Sequence, residues 1–182
     1  MNNQINDIKD KFKIIISVGD ESGIGPEIIL KALFSKEISQ NLDFIIVGSK
    51  NNLENTYKNL KSIGIKNIVD PNNYQIHDIK IPFEINKPKK SNGNASFFYL
   101  KKAIEIVQKY TNAALVTGPI CKKSWSLAGH NYSGQTELLA ESCQVKDVGM
   151  LFTAKSPITG WRFNTLLATT HIPLCDVPKQ LS

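Results

Sequence analysis

The sequence predicts an α/β protein whose core is a mainly parallel sheet with helices on both faces. Three observations support this class. The run 13–18 is apolar at most positions and stops at Gly19, as expected of a strand buried on both faces of a parallel sheet. Such runs alternate along the chain with helical apolar patterns. Polar segments that carry glycine follow several of the runs, at the positions where α/β sheets place ligand sites.

The first helix is predicted directly after the strand at 13–18. Pro26 suits the first helical position because it lacks the N–H that would stay unpaired there, and Glu27 complements the positive end of the helix dipole. An apolar face continues to about residue 35. The strand pattern returns at 44–48, and an amphipathic helix follows at 51–63, so two strand–helix units open the chain.

The remaining elements are predicted in the same way, although the stretch 70–94 collects prolines and loses periodicity, which indicates an irregular connection. The further predicted elements are, in chain order, strands at 65–69 and 79–85, a helix capped by Ser96 and running to about Tyr110, a strand at 113–116, helices at 122–128 and 136–143, and strands at 148–153 and 165–170.

We expect a flexible N-terminus over 1–12, a first α/β lobe over 13–130 and the start of a second lobe over 131–182. No helix is predicted after the last strand. A sheet that stopped there would have an exposed edge and an uncovered face, so the second lobe is expected to be incomplete at the C-terminus.

The charge of the chain favours a small anionic substrate over a nucleic acid. The formal net charge is +6, but only Arg162 among the 22 basic residues is arginine, and the lysines are scattered. Few aromatic side chains lie among them to stack on bases. A nucleic-acid surface would instead cluster its basic residues against phosphates. We therefore expect no nucleic-acid partner.

The three cysteines and the N-terminus indicate a cytoplasmic protein. The cysteines are odd in number and show no CxxC spacing, so neither a disulfide framework nor a cysteine zinc site is predicted. The first thirteen residues are polar and lack the apolar core of a secretory signal. No apolar run approaches the ~18 residues of a membrane span, so no membrane partner is expected.

Two glycine-containing segments are candidate anion sites. The segment 19–26 places three glycines before a helix N-terminus, where free N–H groups and the helix dipole favour an anion. The segment 117–122 brings Lys122 to a strand end, where its ammonium can act as a point charge for phosphate or carboxylate. A tight turn that needs glycine and a solvated lysine are the structural alternatives, and the residues alone leave them open.

Histidines offer a further candidate. His171 ends an apolar run in the segment 168–174, and by residue type alone a histidine at the end of a strand is more often packed than bound to a metal. His130 lies before the segment Gly-Gln-Thr-Glu at 134–137, and we expect it to be an ordinary surface histidine.

In order and spacing, the segments 18–27, 117–122, 134–137 and 168–174 resemble those of the 4-hydroxythreonine-4-phosphate dehydrogenase family of vitamin B6 synthesis. The resemblance implies a two-lobed architecture like that of isocitrate and isopropylmalate dehydrogenases. It implies NAD- or NADP-dependent oxidation of 4-phosphohydroxy-L-threonine to the 3-oxo acid, which decarboxylates to 3-amino-2-oxopropyl phosphate. A divalent metal (Zn, Mg or Co) and a homodimer are implied as well.

The resemblance also implies roles for individual residues. Gln135 and Thr136 occupy the segment that touches the substrate, with Lys122 and Asp20 as further candidates for substrate binding. His171 matches one histidine of a three-histidine metal site, and the other two lie further along the family's chain than position 182. The resemblance assigns no catalytic residue and no cofactor-binding residue here.

Three positions depart from the family pattern. Glu21 stands where proline is usual, and we expect it to change loop stiffness more than chemistry. Cys121 stands where asparagine is frequent, and Gln135 replaces the family's histidine. Glutamine hydrogen-bonds but cannot titrate near neutral pH, so binding is compatible with this residue whereas proton transfer is not.

Two other functions stay open. One is a dehydrogenase of another phosphorylated hydroxy acid, such as a four-carbon sugar acid phosphate. The other is a truncated, non-catalytic fragment that binds anions. Because the resemblance covers only somewhat more than the first half of the family, we expect the 182-residue chain alone to be inactive. A reading frame that continues into two more histidine-bearing segments would favour the enzyme.

Overall fold

The computed structural model describes residues 11–38, 41–81, 90–169 and 172–181. They form two compact units, one ending at Gln135 and one beginning at Thr136. In the first unit a four-stranded sheet has the strand order β3-β2-β1-β4, and all neighbouring strands are parallel. Its elements are β1 (Phe12–Ser17), α1 (Gly25–Ala32), β2 (Leu42–Gly48), α2 (Lys50–Ser62), β3 (Gln75–Asp78), α3 (Lys90–Val107), β4 (Ala113–Thr117) and α4 (Lys122–Leu127).

Helices cover both faces of this sheet, which confirms the predicted fold class. Successive residues of β1 point to opposite faces, as strand geometry requires. Ile16 packs with Leu30 of α1 on one face. Ile15 packs with Tyr99 of α3 on the other. The central strands are therefore apolar at consecutive positions because each position has a helix to pack against.

Local chemistry explains where the two helices beside the strand ends begin. Pro26 lies in the first turn of α1, as predicted. The Ser49 side chain caps α2 and accepts a hydrogen bond from the backbone N–H of Asn52 at 3.2 Å. The third helix differs from the prediction. It begins at Lys90 rather than at Ser96, and Ser96 lies buried within it.

Contacts that are remote in sequence explain the position of Ser96. Its hydroxyl donates to the carbonyl oxygen of Gly93 at 3.2 Å and accepts from Nε1 of Trp125 in α4 at 2.8 Å. The hydroxyl thus donates within its own helix and accepts from α4, so it does not cap a helix start. The prediction missed this role because the Trp125 contact joins residues 29 positions apart.

Four strand predictions need correction. No strand forms at 65–69, where the Val69 N–H donates instead to the carbonyl oxygen of Leu30. The strand expected at 79–85 is found earlier, at Gln75–Asp78, and residues 82–85 lie outside the described part. The strands expected at 148–153 and 165–170 are found at Leu151–Lys155 and Arg162–Leu166.

The second unit contains these last two strands as an antiparallel hairpin of β5 (Leu151–Lys155) and β6 (Arg162–Leu166). Leu151 pairs with Leu166, and Lys155 with Arg162. Every residue of β5 is exposed. The remaining α-helices are α5 (Gln135–Ser142) and α6 (Val177–Gln180). The expectation of no helix after the last strand is corrected by α6, a single turn with Pro178 in its first turn. None of the helices in the described ranges is long and apolar enough for a bilayer span.

Trp125→Phe is expected to lower the free energy of unfolding by about 2 kcal/mol. Trp125 is fully buried, and the change removes both the indole volume and the hydrogen bond to Ser96. Trp161 is 65% exposed, so Trp161→Phe is a matched control that should cost less than about 0.5 kcal/mol. Urea unfolding followed by far-UV circular dichroism measures both, and equal losses would contradict the role of Trp125.

Candidate functional site

The candidate site lies at the carboxyl edge of the first unit's sheet. Because the four strands are parallel, they all end at this edge. The helices α1 and α2 pack on one face and α3 on the other, so the connections diverge between β1 and β4. Ligands of open α/β sheets bind in the crevice at such a switch point.

The loop after β1 and the segment after β4 are joined by backbone hydrogen bonds. The N–H of Asp20 donates to the carbonyl oxygen of Pro119 at 2.8 Å, and the N–H of Gly118 donates to Ser17 at 2.7 Å. Gly19 has a φ of +78°, and a Cβ added there would lie 2.3 Å from the Pro119 oxygen. The close approach therefore requires glycine at position 19, and two of the predicted segments lie together.

The Asp20 side chain stabilises its own loop. It is 8% exposed, and its Oδ1 accepts from the N–H of Ser22 at 3.0 Å and from the Ser22 hydroxyl at 2.7 Å. This arrangement is an Asx turn. Oδ1 is therefore already engaged, and the predicted contact of Asp20 with substrate stays a prediction.

Gln135 reaches the same edge from the start of α5. Its Nε2 donates to the carbonyl oxygen of Gly118 at 3.0 Å. Its Oε1 is buried and accepts no hydrogen bond from the described residues. Position 135 is thus attached to the segment 117–122, which also carries Lys122.

Lys122 and Thr136 are accessible. Lys122 is exposed at the first position of α4, and its ammonium has no partner among the residues with described positions. Thr136 is exposed in the first turn of α5. The roles of both residues in substrate binding stay predictions.

His130 is packed rather than freely exposed. Its ring stacks on Phe97 with centroids 3.7 Å apart, and Nε2 lies 2.9 Å from Oδ1 of Asn94. Partial burial lowers the pKa of His130. The expectation of an ordinary surface histidine is therefore corrected, because an aromatic partner far away in sequence covers one ring face.

Glu21 is the residue of this edge that the sequence interpretation underestimated. Only 6% of it is exposed, and its Oε1 accepts from the N–H of Ser49 at 2.7 Å. The pKa of Glu21 is raised to about 7, mainly by burial and to a smaller extent by the Asp20 and Asp78 carboxylates, while hydrogen bonding from the Ser49 N–H and the Tyr99 hydroxyl opposes the rise. The expectation that this residue would change loop stiffness more than chemistry did not foresee its burial and its contact with Ser49. The sequence signal that could have indicated this role was a glutamate in the glycine loop directly after the first strand.

The described residues do not fit a divalent metal. They contain no group of three or more His, Cys, Asp or Glu side chains that could hold one. His171 lies outside the described residues, and His77 is an exposed residue of β3. A catalytic metal normally needs three protein ligands, so we derive no chemical step through a metal from these residues.

Comparison with known proteins identifies the family of the chain. The family model for the pyridoxal phosphate biosynthetic protein PdxA matches residues 40–182. A 4-hydroxythreonine-4-phosphate dehydrogenase of Nostoc sp. is 44% identical over 181 residues, which cover 96% of this chain and 50% of that protein. A putative D-threonate 4-phosphate dehydrogenase of Fusobacterium nucleatum is 33% identical over 158 residues, which cover 78% of this chain and 46% of that one.

A solved structure shows the same fold. The 4-hydroxythreonine-4-phosphate dehydrogenase of Burkholderia phymatum superposes with a TM-score of 0.75 at 23% identity, over 92% of this chain and 52% of that one. The chain thus spans about half the length of the relatives it matches. From the family match and the arrangement of its strand-end segments, the chain belongs to the PdxA family of pyridoxal phosphate biosynthetic proteins.

Proposed function

We propose that this chain forms part of a dehydrogenase that oxidises 4-phosphohydroxy-L-threonine in vitamin B6 biosynthesis. The observation that carries the proposal is the convergence of the loop after β1, the segment 117–122 and Gln135 at one sheet edge. The 44% identity to a dehydrogenase of that name supports it. NAD or NADP as hydride acceptor, a divalent metal, decarboxylation of the 3-oxo acid, a homodimer and a cytoplasmic location belong to the same proposal.

The chain's own residues would bind and orient the substrate. The Lys122 ammonium is exposed beside the strand end and can attract the phosphate as a point charge. The Gln135 amide, held by the Gly118 carbonyl, can hydrogen-bond a polar group without exchanging a proton. A bound phosphate supplies remote binding energy that orients the reacting carbon.

A dehydrogenase of another phosphorylated four-carbon acid is the second candidate. The Fusobacterium nucleatum relative carries the name of a D-threonate 4-phosphate dehydrogenase, and its match covers 78% of this chain. Threonate differs from hydroxythreonine by a hydroxyl in place of the amine, so a neutral amide at position 135 can serve either compound. The two candidates differ in substrate and share the site.

A chimera can decide between these candidates. Residues 1–182 would be joined to the C-terminal half of the Nostoc relative, because the match covers 50% of that protein and the segments of this chain resemble those of the family's first half. With NAD and a divalent metal, we expect NADH formation from 4-phosphohydroxy-L-threonine at a kcat/KM at least about tenfold above that with D-threonate 4-phosphate. The reverse preference would support the second candidate.

Two controls accompany the chimera. The chain 1–182 alone should form no NADH above a metal-free blank, because its described residues make no metal site. The intact Nostoc enzyme reports the activity of the donated half. A folded chimera that turns over neither substrate would contradict both enzyme candidates and favour the anion-binding fragment.

Gln135→His in the same chimera is expected to introduce a pH dependence that the wild-type residue does not produce. Histidine titrates near 6.5, whereas glutamine does not titrate in this range. The kcat/KM of both proteins would be measured from pH 5.5 to 8.5. Superimposable profiles with equal activity would show that position 135 acts only as a spacer.

A further inference from the structure

Glu21 connects two loops that otherwise belong to different strand–helix units. It lies in the loop after β1, and its Oε1 accepts from the N–H of Ser49, which follows β2, at 2.7 Å. The carboxyl also packs against the end of β2, since a Cβ on Gly48 would lie 3.5 Å from the same oxygen. One side chain therefore holds the glycine loop against the turn that begins α2.

The second oxygen of this carboxyl is buried without a good partner. Oε2 accepts no hydrogen bond of normal geometry from any residue with a described position. The Tyr99 hydroxyl of α3 lies close enough to interact with the carboxyl, but its own hydrogen bond goes to the Ile79 carbonyl oxygen at 3.5 Å. A charged carboxylate would thus have one firm donor for two oxygens, which is costly in a buried place.

The electrostatic surroundings also disfavour a charge on Glu21. Asp20 faces it from the same loop and Asp78 from the end of β3, while Tyr99 faces it from α3 and the turn after β2 offers only the Ser49 N–H. Lys50 is the nearest lysine in sequence to that turn. Its ammonium pairs with Glu54, and its N–H donates to Asp78. No ion pair links Glu21 to a cation within the described ranges.

We propose that Glu21 is a proton-operated latch: its uncharged carboxyl holds the glycine loop on the turn after β2, and loss of the proton to solvent releases the loop. The protonated carboxyl keeps one oxygen for the Ser49 N–H and can direct its O–H towards the Tyr99 oxygen. The ionised carboxylate is more stable in water, because burial and the nearby Asp20 and Asp78 carboxylates disfavour its charge in the held position. The latch acts on the loop whatever substrate the edge binds, so it does not depend on the proposed function.

The direction of the pH effect follows from the two states. The held carboxyl has its pKa raised to about 7, whereas a released carboxyl returns towards the ordinary value of 4.5. The held state therefore binds a proton more tightly between these values, and its population relative to the released state falls as pH rises through that range. Between pH 5.5 and 7.5 the expected fall is about twentyfold, and the ratio levels off above that range.

Amide hydrogen exchange of the whole 182-residue chain tests the latch. Protection of the Ser49 N–H, corrected for intrinsic exchange, should fall about twentyfold between pH 5.5 and 7.5. At each pH it should stay well below the protection of Ile46 within β2, because the loop opens without unfolding of the sheet. In Glu21→Gln, which keeps the acceptor but cannot titrate, Ser49 protection should vary less than twofold. Glu37→Gln, a change at an exposed glutamate, should behave like the wild type.

Three results would overturn the proposal. They are constant Ser49 protection in the wild type, the same pH trend in Glu21→Gln, and Ser49 protection as high as that of Ile46 at every pH, which would mean that Ser49 exchanges only through global opening. If Glu21→Gln fails to fold, carbon-13 titration of the wild-type Glu21 carboxyl replaces it. A midpoint near 7 that the Ser49 amide shift follows supports the latch, and a midpoint near 4.5 or an unresponsive Ser49 amide overturns it.

Discussion

Gly19→Ala is expected to lower the free energy of unfolding by about 3 kcal/mol. Two costs combine at this position. The φ of +78° disfavours any side chain, and the new Cβ would lie 2.3 Å from the carbonyl oxygen of Pro119. That oxygen cannot move aside freely because it accepts the N–H of Asp20. Urea denaturation followed by circular dichroism measures the loss.

Gly64 provides a matched control for Gly19. Its φ is +86°, but nothing lies within 4 Å of an added Cβ. Gly64→Ala therefore has the conformational cost alone, about 1 to 2 kcal/mol. The difference between the two variants measures the clash at the strand ends. Equal losses would show that the two segments can separate without cost, contrary to the packing described above.

The contribution of Glu21 to the free energy of unfolding should decrease by about 3 kcal/mol as the pH rises from 4.5 to 7. Burial raises the pKa of this carboxyl to about 7 from 4.5. Between these values the folded state binds more protons than the unfolded state, so stability is lost with rising pH. Below 4.5 both states are protonated and the full contribution is present. Above about 7 both are ionised and the loss is complete.

The variant Glu21→Gln isolates the contribution of this carboxyl to the pH dependence of stability. The difference in the free energy of unfolding between the variant and the wild type should shift in favour of the variant by about 3 kcal/mol from pH 4.5 to 7.5. Burial lowers the pKa of His130, which makes stability increase with pH below its ordinary value, but this contribution is common to both proteins and cancels. Denaturant unfolding at several pH values gives the difference. A constant difference would mean that Glu21 titrates normally.

Much of the fold could be predicted because its signals are local. The apolar residues of β1 and β2 occupy consecutive positions, and Pro26 and Ser49 lie at helix starts, where their own backbone and side-chain chemistry suits them. The alternation of strand and helix then implies a parallel sheet with both faces covered. The same pattern also locates the loop after β1 and the segment after β4 at the carboxyl edge.

Predictions failed where contacts between remote residues decide the outcome. Ser96 has the chemistry of a helix cap, but Trp125 from another helix takes its hydroxyl. The residues 65–69 have the apolar character of a strand, yet the Val69 N–H donates to the carbonyl oxygen of Leu30 in α1 rather than to a strand. Such choices depend on which groups the completed fold brings close together.

The sequence by itself determined the fold class, the family and the segments that end at the candidate site, since these depend on residue order and local backbone preference. Only the tertiary structure decided that Gln135 is attached to Gly118 and that Glu21 is buried beside Ser49. The physical reason is that burial and hydrogen bonding are set by neighbours in space. The carboxyl of Glu21 is a weaker acid than usual because it is buried, and its partners Ser49, Asp78 and Tyr99 all lie more than twenty residues away in sequence.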